Sequence, residues 1–202
     1  YLDERLDSII NQSFKDYEII VLDDKSSDES ISVIKNKISN LPNASLIANK
    51  SNSGHVFRQW QKGLNAATGK LIWIAESDDK CSTDFLGRLI QKFHEPGVII
   101  ASGRTIPFTE QDGENPDPMQ AYLNTQCPNL FNDDFMLDGD RFVNLGMGAA
   151  CLLVNASGLL MKADVLKAYV AKGLDYSMAG DWAIYLHMLR HGKIAYDHNA
   201  IN

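Results

Sequence analysis

The sequence predicts a single α/β domain in which helices cover both faces of a mostly parallel central sheet. Three observations support this prediction. Compact apolar runs alternate with helical spacings along the N-terminal half, the helical segments are long enough for parallel crossovers, and 45% of the residues are hydrophobic. A chain of 202 residues with this composition can enclose one continuous core. We therefore expect one domain over residues 1–202, with 1–102 and 103–202 as its two halves.

The alternation can be followed from the first residues of the chain. Apolar residues at helical spacing predict helices, and compact apolar runs predict strands. The predicted helices lie near residues 2–10, 28–38, 57–68, 85–93, 163–172 and 180–191. The predicted strands lie near residues 18–22, 44–48, 71–75, 98–101, 158–162 and 194–197.

Residues 103–148 interrupt this pattern. The segment holds Pro107, Pro116, Pro118 and Pro128, many carboxylates and few clear periodicities. Because prolines and clustered charges oppose regular packing, we expect a long, irregular and partly mobile connection here.

The composition disfavours several kinds of partner and site. A net charge of -7 argues against nucleic acid as the main partner. The three cysteines form no Cys-x-x-Cys pair, so neither a disulfide framework nor a zinc site is indicated, and a reducing cytoplasm is the expected location. No apolar run approaches the roughly 18 residues that span a bilayer, so we expect no transmembrane segment in this chain; peripheral membrane association stays open.

Carboxylates follow the predicted strand at residues 71–75. Glu76, Asp78 and Asp79 lie within four residues, and a parallel sheet binds its ligands beyond the carboxyl ends of its strands. Such a cluster is repulsive unless a cation offsets it, and Mg²⁺ or Mn²⁺ prefers oxygen ligands completed by substrate phosphates. The alternative is that Asp78 or Asp79 caps the helix that enters at residues 82–85.

A second acidic group, Asp23 and Asp24, follows the strand at residues 18–22. An Asx turn, with Asp28 as the cap of the next helix, accounts for part of this pattern. Two acids at one strand end are harder to explain by capping alone. A carboxylate there can accept hydrogen bonds from a nucleobase imide or a ribose hydroxyl.

Several ordered segments together resemble family 2 glycosyltransferases. The segments are Gln12-Ser13-Phe14, Tyr17 to Asp24 with Ser26 and Asp28, Asn52-x-Gly54, Ala67-x-Gly69-Lys70-x-Ile72 and Glu76-Ser77-Asp78-Asp79. The resemblance implies a GT-A-type, Rossmann-like fold and a metal-dependent, inverting hexosyltransferase with Mg²⁺ or Mn²⁺. It also implies a nucleoside-diphosphate sugar as donor, a glycan or lipid-linked acceptor, and a role in polysaccharide or glycoconjugate synthesis. It makes residues 1–102 the nucleotide-sugar-binding half and residues 103–202 the acceptor-side half. The family pattern further expects a strand before Tyr1 and more residues after Asn202.

The same resemblance suggests roles for individual residues. The donor-binding positions are Asp23, Asp24, Asn52, Gly54, Glu76 and Asp78. Within them Asp24 is expected to contact the base and Asp78 the donor sugar or ribose, while Asp79, with Asp78, holds the metal. Glu76 stands where the first acid of the family's Asp-x-Asp motif is usually an aspartate, so its contact with the metal is either direct or through water.

Two further positions lie near the end of the chain. Asp181 opens a predicted helix, where an aspartate most often acts as a cap. The family pattern places its catalytic base in an acidic residue at such a helix start, so the resemblance assigns that role to Asp181. His198 follows the last predicted strand and matches, by position alone, a histidine that completes the metal shell in some relatives.

Two other functions remain as alternatives at this stage. A non-catalytic nucleotide- or glycan-binding module of the same fold would not need both Asp79 and Asp181, and the sequence has both. A nucleotidyltransferase also combines acids, a metal and nucleotides on an α/β sheet. It usually carries a glycine-rich, basic phosphate loop at its start, and the first residues of this sequence show none.

Overall fold

The computed structural model describes residues 1–107 and 117–202. Its helices are α1 (Leu2–Ile10), α2 (Ser30–Ile38), α3 (Val56–Ala66), α4 (Phe85–Lys92), α5 (Pro118–Gln126), α6 (Gly139–Phe142), α7 (Ala163–Tyr169) and α8 (Gly180–Leu189). Its strands are β1 (Ile19–Asp23), β2 (Ala44–Ala48), β3 (Leu71–Trp73), β4 (Val98–Arg104), β5 (Phe135–Asp138), β6 (Leu159–Lys162) and β7 (Lys193–Ile201). The predicted alternation of helices and strands is confirmed through β4.

Within the described residues, the strands form a parallel pair, β1–β2, and a sheet with the order β3-β6-β4-β7-β5. Strands β3, β4 and β7 share one direction, whereas β6 and β5 run the opposite way. The predicted α/β class is confirmed, with a sheet that is mixed. The reason lies at β6: Leu159 pairs with Ser102, so the chain re-enters the sheet at the end where β4 leaves it, and β6 is therefore antiparallel.

Helices cover both faces of the larger sheet, as predicted. On one face, α3, α7 and α8 pack against β4 and β6 in a cluster that includes Trp60, Leu166, Tyr185, Ile100 and Met161. On the other face, α4 packs against the same two strands in a cluster that includes Phe85, Leu86, Leu89, Ala101 and Leu160. Ile100 and Ala101, like Met161 and Leu160, are neighbours in a strand and so point to opposite faces. Burial on both sides explains why these strands are continuous apolar runs.

The prediction of an irregular connection over residues 103–148 is wrong for most of the described residues. Strand β4 continues to Arg104, and α5, β5 and α6 follow, with a 3₁₀ turn at Leu130–Asn132 and a π-helical turn at Val143–Met147. Pro118 stands in the first turn of α5, where a missing N–H is tolerated. The Asp117 side chain caps the same helix, accepting from the backbone N–H groups of Met119 and Gln120 at 3.1 and 3.0 Å. Here proline and aspartate begin a helix; Pro116 lies outside the described residues.

The described helices are also too short or too polar to cross a lipid bilayer.

Helix α7 ends earlier than predicted, at Tyr169, and continues as a 3₁₀ segment over Val170–Asp175. This segment leads directly into the loop before α8. It therefore fixes where α8 begins relative to the neighbouring helix α3.

Candidate active site

A cavity of about 1030 Å³ collects several of the predicted site residues. Its lining includes Gly54 before α3, the acidic residues Glu76, Asp78 and Asp79 after β3, and Asp181 in the first turn of α8. These positions are far apart in the sequence and come together only in the fold. The acidic turn and the proposed base thus face one common space.

The turn that follows β3 is held in place by residues 155–157. The Trp73 indole Nε1 donates to the Ser157 carbonyl oxygen at 2.7 Å, and the Glu76 backbone N–H donates to the Ser157 hydroxyl at 2.9 Å. The Asn155 side chain accepts from the Ser157 N–H at 2.8 Å and donates to an Asp79 carboxylate oxygen at 3.1 Å. Asn155 therefore orients Asp79 while its own amide is fixed by the local turn.

The carboxylates of this turn repel one another. Burial raises the pKa of Glu76, and the negative charges of Asp79, Asp78 and Asp181 raise it further, against an opposing effect of Arg5. Neither Asp78 nor Asp79 is the N-cap of α4, because that position belongs to Asp84. The capping alternative does not account for these two acids. Asp78 and Asp79 therefore add to the negative charge that Glu76 places at the cavity.

Arg5 is a buried cation beneath this acidic turn. Its side chain is 1% exposed, and its guanidinium lies over the Trp73 ring at 5.0 Å from the centroid. None of its three side-chain nitrogens has a hydrogen-bond partner among the described residues. Burial lowers the pKa of Arg5, whereas Cys81, Asp79 and Glu76 raise it. Arg5 offsets part of the charge of the cluster without saturating any carboxylate oxygen.

The acidic turn fits a divalent cation that is held jointly with a substrate. Among the described residues, no group of three or more His, Cys, Asp or Glu side chains is arranged to bind a metal by itself. Mg²⁺ is usually bound by one or two carboxylates together with substrate phosphates and water. Asp79 is half-buried with one contact to Asn155, and Asp78 is exposed, so both retain oxygens that face the cavity.

Asp181 is not the cap of its helix. The N-cap of α8 is Ala179, whose φ of 56° is left-handed, and no side chain provides a capping hydrogen bond. The described residues supply no hydrogen bond to the Asp181 carboxylate, which leaves it free to accept a proton from a ligand. Gly180 fixes the start of the helix, because a Cβ there would lie 2.5 Å from the Phe57 ring of α3.

Asp23, Asp24 and Asn52 form a separate cluster beside β1. The Asp24 carboxylate accepts from the Asn49 side chain at 2.6 Å, the Ser53 N–H at 2.8 Å and the Ser53 hydroxyl at 2.7 Å. Burial acts to raise the pKa of Asp24, but the hydrogen bonds from Ser53 and Asn49 outweigh it, so the pKa is lowered. Asn52 donates to the Asp24 carbonyl oxygen at 3.0 Å. These contacts join β1 to the loop after β2, outside the set of residues that line the cavity.

Asp23 shows the Asx turn that the sequence suggested. Its carboxylate is buried and accepts from the backbone N–H groups of Lys25 and Ser26 at 3.1 and 3.3 Å. Asp28 likewise accepts from the Ser30 N–H at 3.0 Å, although the N-cap position of α2 is Glu29 and not Asp28 as expected. Both acids therefore have a local structural role.

His198 is placed away from the acidic turn. Its ring Nδ1 lies 3.1 Å from the Phe131 carbonyl oxygen, and its Nε2 lies 3.4 Å from an Arg104 guanidinium nitrogen. His198 is not among the described residues that line the cavity, although Ile201 and Asn202 from the same chain end are. The structure thus does not bring His198 together with Asp78 and Asp79.

Comparison with known proteins identifies the family. The model of the family described as Glycosyl transferase family 2 matches residues 1–151. The chain belongs to this family. The match includes β1, the acidic turn after β3 and the residues up to the π-helical turn, whereas α8 with Asp181 lies beyond it.

A curated relative resembles part of this chain in sequence, and two solved structures resemble it in fold. A GalNAc(5)-diNAcBac-PP-undecaprenol β-1,3-glucosyltransferase of Campylobacter jejuni is 34% identical over 94 residues, covering 46% of this chain and 30% of that protein. TarS of S. aureus, solved in complex with UDP, has a TM-score of 0.71 at 16% identity, covering 100% of this chain and 55% of that one. The mannosyltransferase PcManGT of Pyrobaculum calidifontis, in complex with GDP-Man and Mn²⁺, has a TM-score of 0.70 at 16% identity, with 99% and 51% covered. The GT-A-type fold is thereby confirmed, and the chain spans less than a third of the length of its Campylobacter relative.

Sequence reasoning missed three residues that shape this family 2 site. Asn155 and Ser157 support the acidic turn, and Arg5 lies beneath it. The only sequence signal for Asn155 and Ser157 is a short polar pair after the apolar run at residues 152–154. Arg5 gives no signal, because an arginine beside Leu6 in an amphipathic helix normally faces solvent.

Proposed function

We propose that this chain forms the donor-binding and catalytic core of an inverting glycosyltransferase. It would transfer a sugar from a nucleoside-diphosphate sugar to a hydroxyl of a glycan or lipid-linked acceptor during polysaccharide or glycoconjugate synthesis. One observation carries the proposal: the free carboxylate of Asp181 and the acidic turn at Glu76, Asp78 and Asp79 line the same cavity. A proton acceptor and a site for a phosphate-bound cation are the two groups that this reaction requires.

The donor would lie across the cavity from Gly54 towards Asp181. Asp78 is exposed at the cavity and is proposed to contact the donor sugar or ribose. Asp24 and Asn52 are proposed to border the nucleobase. Asp23 is proposed to shape the turn that follows β1. The Asp24 carboxylate already accepts three hydrogen bonds, so its remaining capacity admits one further donor, such as a base imide N–H.

Asp79, with Asp78, would hold a divalent cation together with the donor diphosphate. Glu76 is proposed to contribute negative charge behind them. The cation would offset the charge that develops on the departing diphosphate. Burial and the neighbouring carboxylates raise the pKa of Glu76, and Arg5 opposes this only in part. This excess of negative charge and the oxygen-only character of the turn support the assignment. His198 is left out of the metal shell, since its ring is engaged by Phe131 and Arg104.

The chemical step needs no enzyme nucleophile. Asp181 would accept the proton of the acceptor hydroxyl while the acceptor oxygen attacks the anomeric carbon from the face opposite the diphosphate. The new carbon–oxygen bond forms as the bond to the diphosphate oxygen breaks, and the diphosphate leaves with the electron pair. Back-side attack inverts the anomeric configuration. Asp181 lies in the first turn of α8 and lines the cavity, so its carboxylate is proposed to face the acceptor hydroxyl.

The direct test measures nucleoside-diphosphate release by the full-length protein. UDP-glucose, UDP-galactose, UDP-N-acetylglucosamine and GDP-mannose are supplied in turn, with Mn²⁺ or with EDTA, and with a crude acceptor extract. Release from one donor, supported by Mn²⁺ and abolished by EDTA, is expected. Absence of release from every donor, together with no binding of UDP or GDP, would refute the function; equal binding in EDTA and Mn²⁺ would refute the metal assignment alone.

Asp181→Asn separates catalysis from folding. The substitution removes the proton acceptor but keeps the shape of the side chain, so transfer should fall roughly 10²- to 10⁴-fold while the Kd for nucleoside diphosphate stays unchanged. The lost interaction with the helix dipole costs about 0.3–1 kcal/mol, and relief of the repulsion with Glu76 opposes this cost, so the net change in stability should stay below about 1 kcal/mol. Asp175→Asn is the matched control, because Asp175 is exposed and does not line the cavity. Wild-type transfer by Asp181→Asn would remove Asp181 from the reaction.

A further inference from the structure

A second cleft of about 420 Å³ adjoins the first cavity. The two share Met119, Val154, Ala179 and Asp181, so the cleft continues from the proposed base towards α5. Its other lining residues include Tyr122 and Trp182. Its volume falls within the range of about 300–1,000 Å³ that is usual for small-molecule sites.

The two aromatic side chains of the cleft are held in defined positions. The Trp182 indole Nε1 donates to the Met147 carbonyl oxygen at 2.8 Å, and Met147 is fully buried at the end of the π-helical turn. The Tyr122 side chain is 37% exposed, and its hydroxyl donates to the Cys151 carbonyl oxygen at 3.3 Å. Here the turn orients one ring, and a single long hydrogen bond steadies the other.

The charge of the cleft is set by Asp181. Burial, reinforced by the negative charge of Asp181, raises the pKa of the Cys151 thiol to about 12, so this thiol stays neutral. The described residues that line the cleft include no lysine or arginine. A phosphate or diphosphate group would therefore be repelled by Asp181 without compensation. The lining disfavours an anionic occupant and fits a ligand with an apolar face for the aromatic rings and a hydroxyl for the carboxylate.

We infer that this cleft binds a sugar ring of the acceptor, stacked on Tyr122 and Trp182 with a hydroxyl directed to Asp181. A pyranose presents C–H groups on one face and hydroxyls around its edge, which matches aromatic walls that end at a carboxylate. This inference rests on the proposed function, because it gives Asp181 the hydroxyl that it would deprotonate. An aliphatic lipid chain would match the aromatic walls but would leave the Asp181 carboxylate desolvated and unpaired.

Saturation-transfer NMR with the full-length protein tests the inference. The probes are methyl β-glycosides of glucose, galactose and N-acetylglucosamine at millimolar concentration, and farnesyl phosphate serves as the lipid-like competitor. Ring C–H protons of at least one glycoside should receive saturation from the wild-type protein. Tyr122→Ala should lower the affinity for that glycoside about tenfold, whereas Tyr122→Phe, which keeps the ring and loses only the hydroxyl, should bind as the wild type does.

Titration of UDP and GDP against the same samples keeps this test separate from that of the proposed function. Unchanged nucleotide binding with lost glycoside binding in Tyr122→Ala supports the inference. Equal glycoside signals in the wild type and Tyr122→Ala, no glycoside signal in any sample, or Tyr122-dependent binding of farnesyl phosphate alone would each overturn it. Glycoside binding that depends on Tyr122 in a protein without nucleotide binding or nucleotide-sugar turnover would support the sugar cleft and reject the glycosyltransferase.

Discussion

Asn155→Asp is a sensitive test of how the acidic turn is held. The new carboxylate keeps the oxygen that accepts from the Ser157 N–H at 2.8 Å, so the local turn is retained. It loses the N–H₂ group that donates to Asp79 at 3.1 Å and places a second negative charge there instead. The substitution therefore changes one contact, between residue 155 and Asp79, and leaves the other intact.

The free energy of unfolding that Asn155→Asp removes at pH 7 has a lower and an upper limit. A hydrogen bond to a charged group contributes about 1.5–3 kcal/mol, and its loss sets the lower bound. Repulsion cannot exceed the cost of protonating one carboxyl of the new pair. For a carboxyl of ordinary acidity that cost is about 4 kcal/mol at pH 7, at 1.36 kcal/mol per pH unit. Because Asp79 is only half-buried, solvent screening favours the lower part of this range, about 2–3 kcal/mol.

The pH dependence has a definite sign. The pair takes up a proton more readily in the folded protein than in the unfolded chain, so the destabilisation grows as pH rises and shrinks as pH falls. At pH 5 the cost of protonation is only about 1.5 kcal/mol, and the loss of stability should drop to that value or below. Unfolding by urea at pH 5 and pH 7, in EDTA throughout, measures both values.

Asn155→Ala is the matched control for this prediction. It removes both hydrogen bonds of Asn155 without adding charge, so its loss of about 1–3 kcal/mol should be similar at the two pH values. If Asn155→Asp is as stable as the wild type at pH 7, or if its loss is the same at pH 5 and pH 7, the contact between Asn155 and Asp79 does not support the turn as described.

Two other substitutions test the same region. Glu76→Gln should stabilise the protein at pH 7 in EDTA, because burial and the charges of Asp79, Asp78 and Asp181 raise the pKa of Glu76 and so destabilise its ionised form. The gain over the wild type should disappear as pH falls to 4, where Glu76 is protonated; urea unfolding at both pH values would expose an absence of this trend. Gly180→Ala should cost about 1–3 kcal/mol by overpacking against Phe57, 2.5 Å from the added Cβ. Gly87→Ala in α4 is its control: the nearest atom lies at 3.7 Å, so that change should stabilise the helix by about 0.5–1 kcal/mol, and equal effects at the two glycines would contradict the packing of α8 on α3.

Local spacing was sufficient to predict the first half of the fold. Strand β2 has the predicted bounds, Ala44–Ala48, and α4 differs by one residue at its end. Helix α4 buries Phe85, Leu86 and Leu89 at helical spacing, and β2 is a short, partly buried apolar run after a turn; a single sequence displays both patterns directly. The direction of β6, in contrast, could not be predicted from local spacing. It depends on where a long connection returns to the sheet, and neither apolar spacing nor turn residues encode that position.

The prolines near α5 show a second limit of sequence reasoning. Pro118 was read as a sign of irregular structure, but it occupies the first turn of a helix that Asp117 caps. The same two residue types can end one element or begin the next. Leu123 of this helix is 6% exposed and packs in the main buried cluster with residues that are distant in the sequence, and these contacts are not visible in local spacing.

The two acidic groups that look alike in the sequence differ in how far their carboxylates are satisfied. Asp24 accepts three hydrogen bonds from residues 49–53, and the net effect of these partners lowers its pKa. Burial and the like charges around Glu76 raise its pKa, and the guanidinium of Arg5 beneath it donates no hydrogen bond to a carboxylate of the turn. A satisfied carboxylate stabilises the fold, whereas a cluster with unmet charge gains most from a bound cation. This difference in partners, which no spacing of acids along the chain reveals, favours the turn after β3 as the place where an external ligand completes the site.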